Sequence, residues 1–264
     1  MSNQVLPLLQ TTWGQGGDYA KMVTDLGSWT NDNIGCQCLA LAQILFHHRL
    51  QPHHSRKGGY TCKKDGQPDR IVNLTFGENY FFPLFPNSLT SSPITDSQKL
   101  FVQSYLFDVA KAFRKNFYGG YLLGPRGRVR LLMRHFDIEA KFYYYEVGKV
   151  IEAPENRAHE DLDRNSVRTM DDAKKLIKRE LVRNRPLWMY ANRTSGGAHA
   201  VVVDGFKEDD DGTFWICVKW GHDSPNNSDP DNPTNPPWFK LEENIGNLDG
   251  KQRKFISIRP RRQV

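Results

Sequence analysis

Apolar positions follow helical spacing through the first half of this chain and sheet spacing through the second. The most continuous run is Ile34-Gly35-Cys36-Gln37-Cys38-Leu39-Ala40-Leu41-Ala42-Gln43-Ile44-Leu45-Phe46. A helix with so little polar face is predicted to be buried, so this one should pass through the middle of the fold. Asn33 is the expected N-cap, with Asp32 adding negative charge ahead of the first turn. Further on, Leu100, Phe101, Tyr105, Val109, Phe113 and Phe117 recur at helical intervals, which predicts a helix over 97–117 ended by Tyr118-Gly119-Gly120. A shorter helix should begin at Pro125, a favourable first position, and carry Val129, Leu132, Met133 and Phe136. Thr169 and Asp172 form a capping box ahead of the stripe Ala173, Leu176, Ile177 and Leu181, and Arg185-Pro186 should close that helix.

The remaining segments read differently. Residues 5–30 are irregular and aromatic, 49–96 hold turns and short extended pieces, 138–147 is strand-like, and the polar run 152–168 is an expected surface loop. From Leu187 the period becomes that of sheet, with strands expected over 187–191, 198–206, 213–220, 238–241 and 254–258. Residues 222–237 contain five prolines and should form an extended, exposed loop. Helices followed by antiparallel strands make an α+β fold, here read as one domain with a helical lobe over about 1–136 and a sheet lobe over about 137–264.

Composition narrows the class. With 264 residues, 38% of them hydrophobic, the chain can bury a substantial core. It has no apolar run of bilayer length and begins without a signal-like segment, so no membrane association is expected. Four cysteines, two nearly adjacent, do not resemble a disulfide framework. The net charge of +6 is spread along the chain, apart from Arg259, Arg261 and Arg262 near the end; this reads as a solvated surface and not as a nucleic-acid interface.

The candidate chemistry starts at Cys36. It falls in the first turn of the predicted central helix, where unpaired N–H groups and the helix dipole favour a thiolate and should lower the thiol's pKa. Gly35 allows a chain or a substrate backbone to approach closely. Cys38 lies about 200° further round the helix and reads as a packed core residue. The pairs His47-His48 and His53-His54 offer no closed set of zinc ligands, and no metal or cofactor is expected. A base for Cys36 is available in His199, in Ser195-Gly196-Gly197-Ala198-His199-Ala200-Val201-Val202-Val203-Asp204-Gly205, at the mouth of a strand after a glycine turn. A thiolate to attack, an imidazole to move the proton and a glutamine N–H donor such as Gln15 are the parts of acyl-transfer chemistry.

Those motifs occur together in a known order. Trp13-Gly14-Gln15, then Gly35-Cys36 with Ala40, Ala42-Gln43-Ile44, then Gly197-Ala198-His199-Ala200-Val201-Val202 with Asp204-Gly205, then Trp220-Gly221 resemble the streptopain family of secreted bacterial cysteine peptidases. Arg185-Pro186-Leu187-Trp188-Met189-Tyr190 and Phe255-Ile256-Ser257-Ile258-Arg259-Pro260 are similar to two of its strands, so the likeness runs from about Leu8 to Pro260. It implies a papain-like two-lobed fold and hydrolysis of protein or peptide substrates. It also implies secretion and an inhibitory pro-segment or inhibitor protein, neither contained in this chain. Cys36 would be the nucleophile, His199 the general base and acid, and Gln15 the oxyanion-hole side chain. Gly35, Gly197, Ala198, Trp220 and Gly221 would line the substrate site. The chain departs from the family pattern at Lys219-Trp220-Gly221-His222-Asp223-Ser224 and at Gln37, Cys38 and Leu39 after the nucleophile. A papain-like enzyme acting on another acyl group (a cell-wall amidase, a deamidase or a transferase) and an inactive binding module are the alternatives.

A third catalytic member is not expected. Asp204 lies an odd number of residues from His199 and about 16 Å along a strand rising about 3.3 Å per residue, so it should serve the turn at Gly205. Lys219, where the family carries asparagine, cannot accept a hydrogen bond. His199 should therefore be held by packing on Trp220 and by a backbone carbonyl, with its other ring nitrogen towards Cys36.

Overall fold

A computed structural model describes residues 3–53, 58–77, 80–90, 93–146, 169–221 and 238–261. In chain order its elements are β1 (Gln4–Val5), α1 (Lys21–Thr24), α2 (Cys36–His47), β2 (Gly59–Cys62), β3 (Arg70–Asn73), α3 (Asp96–Ala112), α4 (Pro125–His135), β4 (Ile138–Glu146), α5 (Met170–Leu181), β5 (Leu187–Arg193), β6 (Ala198–Glu208), β7 (Phe214–Lys219), β8 (Trp238–Lys240) and β9 (Leu248–Pro260). The main sheet is antiparallel throughout, in the order β4-β9-β5-β6-β7-β8, with the short β1 paired to β6. The expected loops at 152–168 and 222–237 lie outside the described residues.

The sheet explains why its middle strands are apolar almost without alternation. On β6, Ala200 and Val202 belong to the core shared with α2, whereas Val201 and Val203 belong to the core shared with α5. Trp188 and Ile256 join the first core, and Leu187, Met189 and Phe255 the second. Strands covered on both faces lose the in–out alternation of a half-solvated sheet. Helix α2 runs through the first core with every residue from Gln37 to Phe46 buried, as its apolar run requires.

Three local expectations need correction. The N-cap of α2 is Gly35, at φ 85°; Asn33 lies two residues ahead of it and turns its side-chain oxygen onto the Gly35 N–H. Leu100 is 52% exposed; it sits about 140° round α3 from the buried Tyr105, on the outer face. Helix α3 also ends at Ala112, well before Gly119. Arg114 takes the left-handed conformation at φ 51°, and two bonds, Arg114 N–H to Lys111 O at 2.9 Å and Lys115 N–H to Ala110 O at 3.0 Å, complete a Schellman motif without glycine.

Helix α5 carries the expected Thr169–Asp172 capping box and buries Ala173, Leu176, Ile177 and Leu181. It also buries Glu180 completely, which Arg179, Arg185 and Arg259 hold at 2.8, 2.7 and 2.9 Å, tying α5 to the end of β9. Burial pushes the Glu180 carboxyl up, but the arginines outweigh it and leave it below the ordinary range. A depressed folded-state pKa stabilises the fold above the unfolded carboxylate's value of about 4.3, and that contribution is lost as pH falls through the folded value. Glu180→Gln is expected to cost about 3 kcal/mol at neutral pH and to flatten the acid limb of the stability profile. An unchanged acid limb in urea titrations would show that Glu180 does not carry that dependence.

Candidate active site

Cys36 is the first residue of α2, half-buried where the helix start meets the sheet. Its thiol accepts from the backbone N–H of Ala200 on β6, and from that of Gln37. Ala200 follows His199, the candidate base, along β6. The helix start is gripped from two sides. Trp188 Nε1 donates to Gln37 O at 3.2 Å from β5, and Arg128 of α4 donates to the Gln37 side-chain oxygen. Cys38 is fully buried in the core, as expected.

The thiol's titration runs against the sequence expectation. Burial pushes the Cys36 pKa up, and this exceeds the combined pull of the Ala200 N–H, Arg193, the Gln37 N–H and Lys115. Desolvation of a charged form outweighs a first-turn dipole of a few tenths of a charge. A thiolate at Cys36 therefore depends on the cations and N–H donors around it.

His199 is buried at the start of β6, just after Gly196 and Gly197, both of which have positive φ. Its Nε2 donates to the backbone carbonyl of Trp220 at 2.9 Å, and its ring stacks on Trp220 with centroids 5.9 Å apart and planes 18° from parallel. Both the carbonyl and the stacking partner match the sequence reading. The Trp220-Gly221 turn is itself fitted to α2. A Cβ on Gly221, at φ 72°, would lie 2.5 Å from Leu39 Cδ2, and one on Gly246 would lie 3.0 Å from the Trp220 ring. Trp220→Ala should lower kcat by about a hundredfold with little change in KM, because it frees the imidazole from its set orientation. Full activity in that variant would remove Trp220 from the site.

Asp204 has a different role from the expected one. It is fully buried beside a register shift in β6, and its carboxylate accepts from Leu9 N–H at 3.2 Å while its carbonyl accepts from Leu8 N–H at 3.0 Å. It fastens the N-terminal segment to the sheet, because the chain before Leu9 passes over the strand exactly where its ladder is interrupted by the bulge.

The Gln15 loop is anchored on both sides. Trp13 is fully buried, packs on Phe46 with ring centroids 4.8 Å apart and donates from Nε1 to Pro86 O at 3.0 Å. Gln15 O accepts from Ile34 N–H at 2.8 Å, two residues before Cys36. The loop thus runs alongside the start of α2.

Gly35 serves a close approach by the protein's own side chains. A Cβ there would lie 2.8 Å from the Tyr121 hydroxyl and 3.4 Å from Lys115 Nζ. Lys115, Tyr121 and Arg128 around the helix start escaped the sequence reading. One signal existed: Arg128 falls four residues before Leu132 and beside Val129, on the apolar stripe of α4.

The structure resembles active wild-type interpain A cysteine protease from Prevotella intermedia, with a TM-score of 0.61 and 18% identity over 96% of this chain and 94% of that one. A fragment of prointerpain A from the same organism matches with a TM-score of 0.60 and 18% identity, over 97% of this chain and 72% of that one. At such identity these neighbours establish the papain-like fold. No curated protein sequence matches the chain. A model of the peptidase C10 family matches residues 13–227, covering the Trp13-Gly14-Gln15 loop, Cys36, His199 and Trp220-Gly221, and the chain belongs to that family of cysteine peptidases.

Proposed function

We propose that the chain is an endopeptidase in which Cys36 is the nucleophile and His199 the general base and acid. The observations that support this reading are the Ala200 N–H directed at the Cys36 thiol and, on the residue before Ala200, an imidazole whose Nε2 is engaged by the Trp220 carbonyl. Nδ1 is then the nitrogen that takes the thiol proton. The thiolate attacks the scissile carbonyl, and His199 returns the proton to the leaving amine as the thioester forms. His199 then deprotonates the water that hydrolyses the thioester. The developing oxyanion is received by the Cys36 N–H and the Gln15 side chain. Gly35, Gly197, Ala198, Trp220 and Gly221 border the substrate, in a cleft between a helical lobe over about 1–136 and a sheet lobe over about 137–264.

The substrates are proteins or peptides in a secreted setting, and a pro-segment or inhibitor protein outside this chain holds the activity back. The likeness to prointerpain A supports that control. Among the described residues no helix is long and apolar enough to cross a membrane.

The test is casein turnover by the purified chain at neutral pH. Release of acid-soluble peptides that stops on thiol alkylation is expected. Absence of any cleavage by protein that still reacts at Cys36 would assign the site to a different acyl substrate.

A further inference from the structure

Lys115 is an unusual residue for its position. It is the C″ residue of the Schellman motif that ends α3, a place where an apolar side chain normally packs back on the helix. Here it is a lysine with 2% of its surface exposed. Its backbone carbonyl is held by the Tyr60 hydroxyl at 2.8 Å and approached by Cys62 Sγ at 3.8 Å, so the turn is fixed from the β2 side as well. The side chain runs under the start of α2, where its ammonium lies 3.4 Å from the point a Cβ on Gly35 would occupy. Gly35 immediately precedes Cys36.

Charge balance around this lysine is unmet. Among the described residues no carboxylate pairs with Lys115 or with the nearby buried Arg128. Arg128 spends its hydrogen bonds on Leu123 O at 2.6 Å and on the Gln37 side chain, and its guanidinium lies 4.4 Å from the Tyr121 ring centroid. Among the described residues the Lys115 ammonium faces the rings of Tyr121 and Phe117, at 5.7 and 6.0 Å. A buried cation without an anion is costly, and a cation–π contact of this length offsets little of it. The groups available to carry negative charge here are thiols and a phenol. Burial pushes Cys38 up to about 11 and holds Tyr121 well above its ordinary value. Cys36 is the half-buried thiol of the set, with two N–H donors already directed at it.

Building on the proposed role of Cys36, we propose that Lys115 is a positioning residue whose buried ammonium favours ionisation of Cys36 from beneath the helix start. The coupling is mutual: burial leaves the Lys115 ammonium's pKa below its ordinary value, and Cys38, Cys36 and Cys62 offset part of that. Arg128 acts with it by fixing Gln37, the residue after the nucleophile. The other titratable or charged groups that act on Cys36 are Cys38 on α2 and Arg193 and Tyr190 on β5. Arg193, at the partly exposed end of β5, pulls harder on Cys36, and Lys115 adds to it from within the protein.

The experiment follows the Cys36 thiolate by its ultraviolet absorbance, taken as the difference between each protein and the same protein carrying Cys36→Ala, across pH. This readout does not require peptidase activity, so casein turnover judges the peptidase reading separately. Lys115→Met should move the thiolate titration up by one pH unit or more and slow iodoacetamide labelling of Cys36 about tenfold at neutral pH, with recovery in alkali. Its melting temperature should hold or rise, since an unpaired buried charge has been removed. Lys115→Gln, polar and uncharged, should shift the titration in the same direction. An unmoved titration in either folded variant overturns the proposal, and so does failure of both variants to fold, which would make Lys115 a structural residue.

Discussion

Cys36→Ala is expected to abolish peptide hydrolysis and thiol labelling together, whereas Cys38→Ala should keep both and lose only stability. The two sulfurs are two residues apart on one helix, and the fold treats them oppositely. Cys36 meets the Ala200 N–H at the boundary of sheet and helix, half-buried and reachable. Cys38 lies inside the core with no exposed surface, beside the Tyr121 hydroxyl. Deleting Cys36 removes the atom that forms the thioester, so turnover should fall by more than five orders of magnitude, as it does when a covalent nucleophile is lost from a hydrolase. Replacing Cys38 by alanine leaves a small void in a close-packed core and should cost about 1–2 kcal/mol. Steady-state kinetics with a fluorogenic peptide and mass mapping of an iodoacetamide adduct check both halves. Equal loss of labelling in two folded single variants would contradict the assignment.

Gln15→Ala should lower kcat by roughly a hundred- to a thousandfold while KM barely moves, the usual consequence of losing one oxyanion donor. The geometry behind this is the register of the loop. Trp13 is pinned by its own indole N–H and by Phe46, and Gln15 O is bonded to Ile34 N–H, so the residue cannot drift from the start of α2. A donor held this way strengthens as the carbonyl oxygen becomes negative and contributes little before then, hence the effect on kcat alone. Gln15→Glu should be as inactive, because a carboxylate repels the oxyanion. A wild-type rate in Gln15→Ala would place the side chain away from the reacting carbonyl.

How much of this was legible in the residue order depends on the range of the interaction. The buried helix α2, the capped helix α5 and the strands β5 to β9 follow from periodicity and local caps, and the structure has them. A backbone carbonyl and the Trp220 ring at His199 agree with the sequence reading, and the structure identifies that carbonyl as Trp220's. Elements whose ends are set by long-range contacts escaped. Arg114 replaced glycine in ending α3, and Gly35 is required at the start of α2 because Tyr121 and Lys115 occupy the space of a side chain. The sign of the Cys36 shift was missed for the same reason: the helix dipole is visible in sequence, whereas burial against β6 is not. Lys115 reads in sequence as one more surface cation after a helix.

The account rests on a single reactive thiol at the head of α2, and its most direct test is covalent capture by a peptidyl epoxide or chloromethyl ketone at neutral pH. Intact-mass analysis should show one equivalent bound, peptide mapping should place it on Cys36, and casein turnover should fall in step with the adduct. An adduct on Cys38, Cys62 or Cys217 that silences the enzyme, or full turnover by protein already modified at Cys36, would contradict it.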